Sequence, residues 1–253
     1  HAPACAGERL AAHTSLPDDV AVLLVPVLNP DGYEYSRSSG GDRLWRKNRR
    51  PAGEAGGCDG VDLNRNWPHA WGGEGTSADT CSLVFKGGAP LSEPETAGFV
   101  AWLNAREAEG YDFATGLDVH SYSQLILGSW SYTDDAPDNI TMVEEVAQTM
   151  AQAIQSRGGR HYSFFHGSAE GFMPLAAGTM QDYLHMRGIN GYTIELPPSI
   201  FQPGHPGFLV DVSEVPLACE DLASGIEALM RAGSAAQDSS GSGGLAFSAL
   251  PGP

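Results

Sequence analysis

Hydrophobic positions along the chain follow two spacings, one typical of strands and one typical of helices. Residues 20–28 (VAVLLVPVL) are almost continuously apolar and rich in β-branched side chains, which predicts a buried strand. Residues 113–119 (FATGLDV) and 191–196 (GYTIEL) predict two more core strands, the second bounded by Gly and by a Pro pair. The NPDG sequence at 29–32 predicts a turn directly after the first strand.

Helical spacing appears in three other stretches. At 92–107, Ser92 and Glu95 form a capping box that precedes an apolar stripe, which predicts a helix start. Residues 139–156 and 213–231 place their apolar side chains at i, i+3, i+4 and i+7, as expected for amphipathic helices. Residues 38–60 and the stretch from Trp67 to Pro90 are predicted to be long loops.

Strands that alternate with helices predict an α/β fold, a single domain with a mixed central β-sheet flanked by helices. We expect this domain to span residues 1–232 and to lack its N-terminal part. Residues 233–253 are rich in Ser, Gly and Ala, so we expect a disordered tail there. Ligands of such sheets bind outside the carboxyl ends of the strands.

The overall charge narrows the possible partners. The formal net charge of −17 argues against nucleic acid or an anionic membrane surface, because both require a basic face. The longest apolar run is too short to cross a bilayer. Four cysteines and the sequon at Asn139 favour a secreted protein over a cytosolic one.

Several polar residues stand where a sheet would open into a cleft. His120 and Glu195 both lie at the ends of predicted strands. Taken alone, His120 could simply bond a backbone carbonyl, Glu195 could pair with a neighbouring Arg, and Arg46 could be a solvated loop residue. The NRN triplet at 64–66 is either a loop held by its own amides or a set of donors for a carboxylate.

Ordered sequence blocks connect these candidates. NPDGYEY and DRLWRKNRR are followed by CDGVDLNRNW, HSYSQ, YTIEL and GHPGFLVDVSEV. In this order they resemble the zinc metallocarboxypeptidases of the carboxypeptidase A/B type. The resemblance implies a zinc-dependent hydrolase that removes the C-terminal residue of peptides or proteins and holds one Zn²⁺ per active site.

The resemblance also implies a role for each matching residue. His120 would be a zinc ligand, Glu195 the general base and acid, and Arg46 the group that stabilises the oxyanion. Asn64 and Arg65 would bind the terminal carboxylate of the substrate, since a planar guanidinium bonds a carboxylate through two parallel hydrogen bonds.

Other positions receive supporting roles from the same resemblance. Asp62 would orient a metal-bound imidazole from behind. Arg43, Ser121, Tyr122 and Gln181 are further candidates for contacts with substrate, and Gln181 corresponds to the floor of the pocket for the terminal side chain. Gln181 is neither acidic nor plainly apolar, so specificity for the terminal residue stays open.

The cysteines fit the resemblance in part. Cys58 and Cys81 match a disulfide that closes the loop after the carboxylate-binding pair, which would stabilise the fold by about 3 kcal/mol. The sequence leaves the pairing of Cys5 and Cys219 open.

The chain departs from the family pattern in two places. None of its eight His residues has Glu three positions later, so the His-x-x-Glu pair of zinc ligands is missing, and His1 is a weak substitute. Met173, Pro174 and Leu175 stand where the family has a substrate-capping Tyr.

Two explanations remain for the missing ligands. Either an upstream segment that carries His-x-x-Glu is absent from this chain, or the protein is an inactive relative that binds peptide C-termini without cleaving them. Because Arg46, Asn64, Arg65, His120 and Glu195 are all retained, we favour the first. We expect a monomeric, secreted protein whose partners are peptides with a free C-terminus.

Overall fold

A mixed β-sheet lies at the centre of the protein. The computed structural model describes residues 2–13, 21–53, 56–158, 160–168 and 171–239. The strands are β1 (Thr115–Ser121), β2 (Leu125–Gly128), β3 (Ser163–Phe165) and β4 (Asn190–Leu196), in the order β1-β4-β2-β3. The β1–β4 and β2–β3 pairs are parallel, whereas β2 and β4 are antiparallel.

Helices cover both faces of this sheet. They are α1 (Ala2–His13), α2 (Pro30–Arg37), α3 (Pro94–Ala108), α4 (Ile140–Gly158), α5 (Met180–Met186) and α6 (Glu214–Ser239), together with a short 3-10 turn at Leu63–Arg65. None of the helices in the described ranges combines the length and apolar character needed to cross a membrane. The predicted α/β fold with a mixed central sheet and flanking helices is confirmed.

Two buried clusters fix the helices to the sheet. Tyr192 and Ile194 of β4 are fully buried in the larger cluster, where they pack with side chains of α4 and α6. The smaller cluster joins α3 and α5 around Trp67. Since side chains alternate along a strand, Glu195 points away from the larger cluster and towards the α5 side.

The prediction of a strand at 20–28 is wrong for residues 21–28, the part that the structure describes. Residues 21–29 have no regular secondary structure. Among the described residues no strand pairs with them, and no strand pairs with the outer edge of β1. An apolar run becomes a strand only when a neighbour satisfies its backbone groups. A cavity of about 300 Å³ instead separates this run from β1.

Two predicted helix signals also need correction. The predicted NPDG turn is the start of α2, because Asn29 caps that helix by accepting a hydrogen bond from Gly32 N at 3.0 Å. The predicted capping box is absent, since Glu93 is the N-cap of α3 and makes no side-chain capping bond. Ser92 Oγ donates to Glu93 Oε1 instead.

The predicted helices at 92–107 and 139–156 correspond to α3 and α4. The helix predicted at 213–231 is α6, which continues to Ser239 and so enters the predicted tail. The remaining tail residues, 240–253, lie outside the described residues.

Two disulfide bonds link separate parts of the chain. Cys58 and Cys81 are bonded, as the resemblance implied. Cys5 and Cys219, whose pairing the sequence left open, form the second bridge and join α1 to α6.

Candidate active site

Strand pairing brings His120 and Glu195 together. The two residues are direct partners in the parallel β1–β4 register, so their side chains lie on the same face of the sheet. Asp118 lies two positions before His120 on the same face, and its Oδ2 is 2.8 Å from His120 Nε2. With Nε2 held by this carboxylate, Nδ1 is the ring nitrogen without a partner among the described residues.

The two acids beside the imidazole control its charge. Burial alone would lower the pKa of His120, but the charge and hydrogen bond of Asp118 and the charge of Glu195 raise that pKa to about 9. Asp118 was missed by the sequence analysis. Its position two residues before a strand-end His is the signal that could have identified it, because a carboxylate often orients a functional imidazole.

Glu195 lies near three charged or titratable side chains, Asp118, His120 and Arg46. Burial raises the pKa of its carboxyl group above the usual range and Asp118 adds to this effect, whereas the charges of His120 and Arg46 oppose it. Its Oε2 atom is buried and accepts no hydrogen bond from the described residues. A carboxylate with a raised pKa and an unused oxygen is suited to accept and return a proton near neutral pH.

The 3-10 turn positions Asn64 and Arg65. Asp62 caps the turn by accepting a hydrogen bond from Asn64 N at 3.1 Å. Asn64 Oδ1 accepts from Met180 N at 3.0 Å, and this bond turns Nδ2 towards His120, where it lies 3.3 Å from Nε2. The amide predicted to bind a carboxylate therefore touches the strand-end imidazole.

Backbone carbonyls hold the Arg65 guanidinium. Its Nε donates to Gly75 O at 2.9 Å, and its Nη1 donates to Asn64 O at 2.6 Å. Nη2 has no acceptor in the described part of the chain. Gly178 packs on the backbone of this turn. Its φ is +71°, and a Cβ there would lie 2.7 Å from Arg65 O, so only glycine fits.

The second amide of the NRN triplet has a different task. Asn66 is fully buried, and its Nδ2 donates to Lys86 O, Ala89 O and Ser92 Oγ. Asn66 is thus a loop-holding amide, as the first interpretation of the triplet expects. The role of Asn64 and Arg65 as donors for a carboxylate stays a prediction.

Arg46 and Asp62 form an ion pair. Arg46 donates from Nε and Nη2 to Asp62 Oδ2 at 3.1 and 2.9 Å. Asp62 Oδ1 accepts from the Asn64 backbone. Asp62 contacts no imidazole among the described residues, and its role beside a metal-bound imidazole stays a prediction. The carboxylate that holds His120 is Asp118.

A cavity of about 310 Å³ opens beside Glu195. Tyr122 and Gln181 line it, and their contacts with substrate stay a prediction. Tyr122 packs edge-on against Phe208 with ring centroids 4.8 Å apart. Ser121 and Arg43 are exposed and do not line this cavity. Within the described ranges their side chains make no hydrogen bond or ion pair with the other site residues.

The residues described do not form a complete zinc site. Within the described ranges no three His, Cys, Asp or Glu side chains are arranged to hold a metal ion, whereas zinc sites use at least three protein ligands. Of the two predicted ligands, His120 lies in β1 and His1 lies outside the described residues. Pro174 lines the cavity in the region where the family's Tyr was expected.

Comparisons with known proteins agree with this geometry. The zinc carboxypeptidase family profile matches residues 6–224. Carboxypeptidase A4 of Mus musculus is 35% identical over 221 residues, which are 87% of this chain and 49% of that protein. The inactive metallocarboxypeptidase ecm14 of Talaromyces stipitatus is 42% identical over 154 residues, or 60% of this chain and 26% of that protein.

A solved structure shares the fold. Carboxypeptidase A from Helicoverpa armigera superimposes with a TM-score of 0.78 and 32% identity, covering 94% of this chain and 58% of that one. The chain spans about half the length of the mouse relative and about a quarter of the fungal one. The family profile and the matching fold lead to one assignment: the chain belongs to the zinc carboxypeptidase family.

Proposed function

We propose that the protein is a carboxypeptidase that hydrolyses the C-terminal peptide bond of peptides and proteins. One observation carries the proposal: Asn64 Nδ2 lies 3.3 Å from His120 Nε2, and His120 is the strand partner of Glu195. Groups suited to bind a terminal carboxylate and groups suited to move protons therefore lie next to one another, although they are far apart in the sequence.

Each residue of the cleft has a defined task in this proposal. Arg65 and Asn64 donate hydrogen bonds to the substrate's terminal carboxylate, which places the last peptide bond near Glu195. Glu195 accepts a proton from the attacking water and returns it to the leaving amine. Arg46, fixed by Asp62, stabilises the negative charge that develops on the carbonyl oxygen.

Zinc requires ligands beyond those described. The family membership implies one Zn²⁺, yet His120 alone cannot hold it. We propose that the other ligands lie outside the described residues. The unpaired outer edge of β1 and the cavity next to it support this idea, because they leave room for further chain beside the strand that carries His120.

A peptide C-terminus-binding protein without catalytic activity is the second candidate. It is favoured by the single zinc ligand among the described residues and by the similarity to a fungal protein that is named inactive. Retention of Glu195 with an unused oxygen favours the enzyme, since binding alone does not require a buried carboxylate.

Metal content and hydrolysis distinguish the two candidates. A version extended upstream to include a His-x-x-Glu segment is expected to hold about one equivalent of zinc and to release single C-terminal residues from a peptide, detected by mass spectrometry. The 253-residue chain is the matched control and is expected to bind zinc poorly. An extended version that stays metal-free but still binds peptides would establish the inactive binder.

We also propose that the protein is secreted and acts on peptide substrates as a monomer. Its two disulfides support an oxidising compartment. Expression with a secretion signal is expected to yield oxidised protein in the medium, which a thiol count would verify. Size-exclusion chromatography with light scattering would test the monomer.

A further inference from the structure

We propose that the protein carries an N-linked oligosaccharide on Asn139, at the end of the sheet remote from Glu195. The inference rests on the proposed secretion, because sugar is transferred to asparagine in the secretory pathway. Asn139, Ile140 and Thr141 form the one Asn-x-Ser/Thr triplet of the sequence, and its middle residue is not Pro, which would prevent the transfer.

The triplet lies at the surface, where α4 begins. Asp138 and Thr141 are exposed, and Asn139 is half-buried. Met142 N donates to Asn139 O at 3.0 Å, so the backbone of Asn139 belongs to the first turn of the helix. The Thr141 hydroxyl makes no hydrogen bond with the described residues. The acceptor and the hydroxyl two residues later therefore lie outside the core, as an attached sugar requires.

The side-chain amide of Asn139 keeps a position free for the sugar. Its Nδ2 donates to Asn190 Oδ1 at 3.3 Å. A side-chain amide nitrogen carries two hydrogens, and the described residues offer no acceptor for the second one. Asn139 Oδ1 accepts no hydrogen bond in the same ranges, so it caps no helical N–H there. A sugar can thus be attached without loss of the bond to Asn190.

The covalent step requires a donor, an oligosaccharide carried on a lipid diphosphate. Asn139 Nδ2 forms a bond to C1 of the first sugar, and the bond between C1 and the diphosphate oxygen breaks. The diphosphate leaves with the electron pair of that bond, and Nδ2 loses one proton. The hydrogen that remains on Nδ2 is the one that Asn190 Oδ1 accepts.

The geometry of the sheet keeps this sugar away from the cleft. Asn190 is the first residue of β4 and Glu195 lies five residues later, which separates them by about 16 Å along the strand. Since side chains alternate, five steps also place the two side chains on opposite faces of the sheet. Neither Asn139 nor Asn190 lines the cavity beside Glu195. The cleft therefore stays open to peptides when the sugar is present.

Export of the 253-residue chain from a eukaryotic host, behind a secretion signal, tests the inference. Peptide N-glycosidase converts a glycosylated asparagine to its acid, and mass spectrometry is expected to detect this conversion at Asn139 in most of the exported chains. An untreated portion is the control. Thr141→Ser keeps the hydroxyl and should keep the sugar, whereas Thr141→Ala and Asn139→Gln should lose it. Because Thr141 is exposed, its two variants should unfold at the same urea concentration once the sugar is removed.

Each outcome has a distinct meaning. If oxidised protein in the medium carries no sugar at Asn139, or if Thr141→Ala retains it, the inference is wrong while the proposed secretion stands. If the chain is not exported, or its four cysteines are free thiols in the medium, the proposed secretion fails and the inference fails with it. Isothermal titration calorimetry with benzoyl-Gly-Phe should give the same Kd before and after removal of the sugar. A change in Kd would contradict the position away from the cleft.

Discussion

The two amides on either side of Arg65 should respond to alanine substitution in opposite ways. Asn66 is fully buried, and its Oδ1 accepts hydrogen bonds from Glu93 N and Thr96 Oγ1 at 3.3 and 2.7 Å. Its Nδ2 has two hydrogens to donate and three acceptors within hydrogen-bond distance, Lys86 O, Ala89 O and Ser92 Oγ. Asn64 Oδ1 accepts one backbone hydrogen bond, and its Nδ2 lies beside His120.

The expected loss in the free energy of unfolding follows from these contacts. Asn66→Ala removes about four hydrogen bonds and leaves their buried partners unsatisfied, so at about 1 kcal/mol each we expect a loss of about 4 kcal/mol in the free energy of unfolding. This is a large share of a typical total of about 5–15 kcal/mol. Asn64→Ala should cost about 1 kcal/mol of stability but weaken binding of benzoyl-Gly-Phe about tenfold, because it removes a donor to a charged carboxylate.

Urea unfolding monitored by tryptophan fluorescence gives the stability of both variants, and calorimetry gives the peptide affinity of Asn64→Ala. Asn104→Ala is a suitable control, since this exposed amide contacts only Arg187 among the described residues. The division of roles within the triplet is refuted if Asn64→Ala is the more destabilised variant. It is also refuted if Asn66→Ala unfolds at nearly the same urea concentration as the unaltered chain.

Three further predictions concern the cleft and the loop beside it. In the zinc-bearing extended version, Glu195→Gln should lower turnover by about 10²–10⁴-fold with peptide affinity kept, since the amide cannot transfer the proton; unchanged turnover in a stopped assay would remove Glu195 from the mechanism. Arg65→Lys should reduce affinity for a peptide with a free C-terminal carboxylate more than tenfold, because an ammonium cannot form the two parallel hydrogen bonds. The weak binding of the same peptide with an amidated C-terminus should be unchanged. An equal loss of affinity for the two peptides would contradict this prediction. Replacing both Cys58 and Cys81 by Ser should lower the free energy of unfolding by about 3 kcal/mol in urea, and equal stability would show that this bridge constrains the unfolded chain little.

Sequence patterns were sufficient where an element's own side chains determine its structure. The apolar stripe of α4 and the short apolar run of β4 identify these elements, because each buries its own face against the rest of the core. The segment at 21–29 shows the limit. It has the composition of a strand but forms none in the described structure, since strand formation depends on a neighbour that local sequence does not specify.

The same limit applies within the cleft. The resemblance brought His120, Asn64 and Glu195 to one place, and the strand register and side-chain contacts agree with it. It did not identify Asp118 as the partner of His120, although Asp62 and Asp118 both stand two residues before a polar site residue in the sequence. Only the fold directs Asp62 to Arg46 and Asp118 to His120.

The bridge between Cys5 and Cys219 has a consequence for proteolysis. It links two positions separated by 214 residues, so almost every peptide bond of the folded protein lies within the covalent ring that it closes. A single protease cut in the exposed stretch around Arg43 would open the backbone without releasing a fragment. The nicked molecule would migrate as one species in non-reducing electrophoresis and separate into two only after a thiol is added.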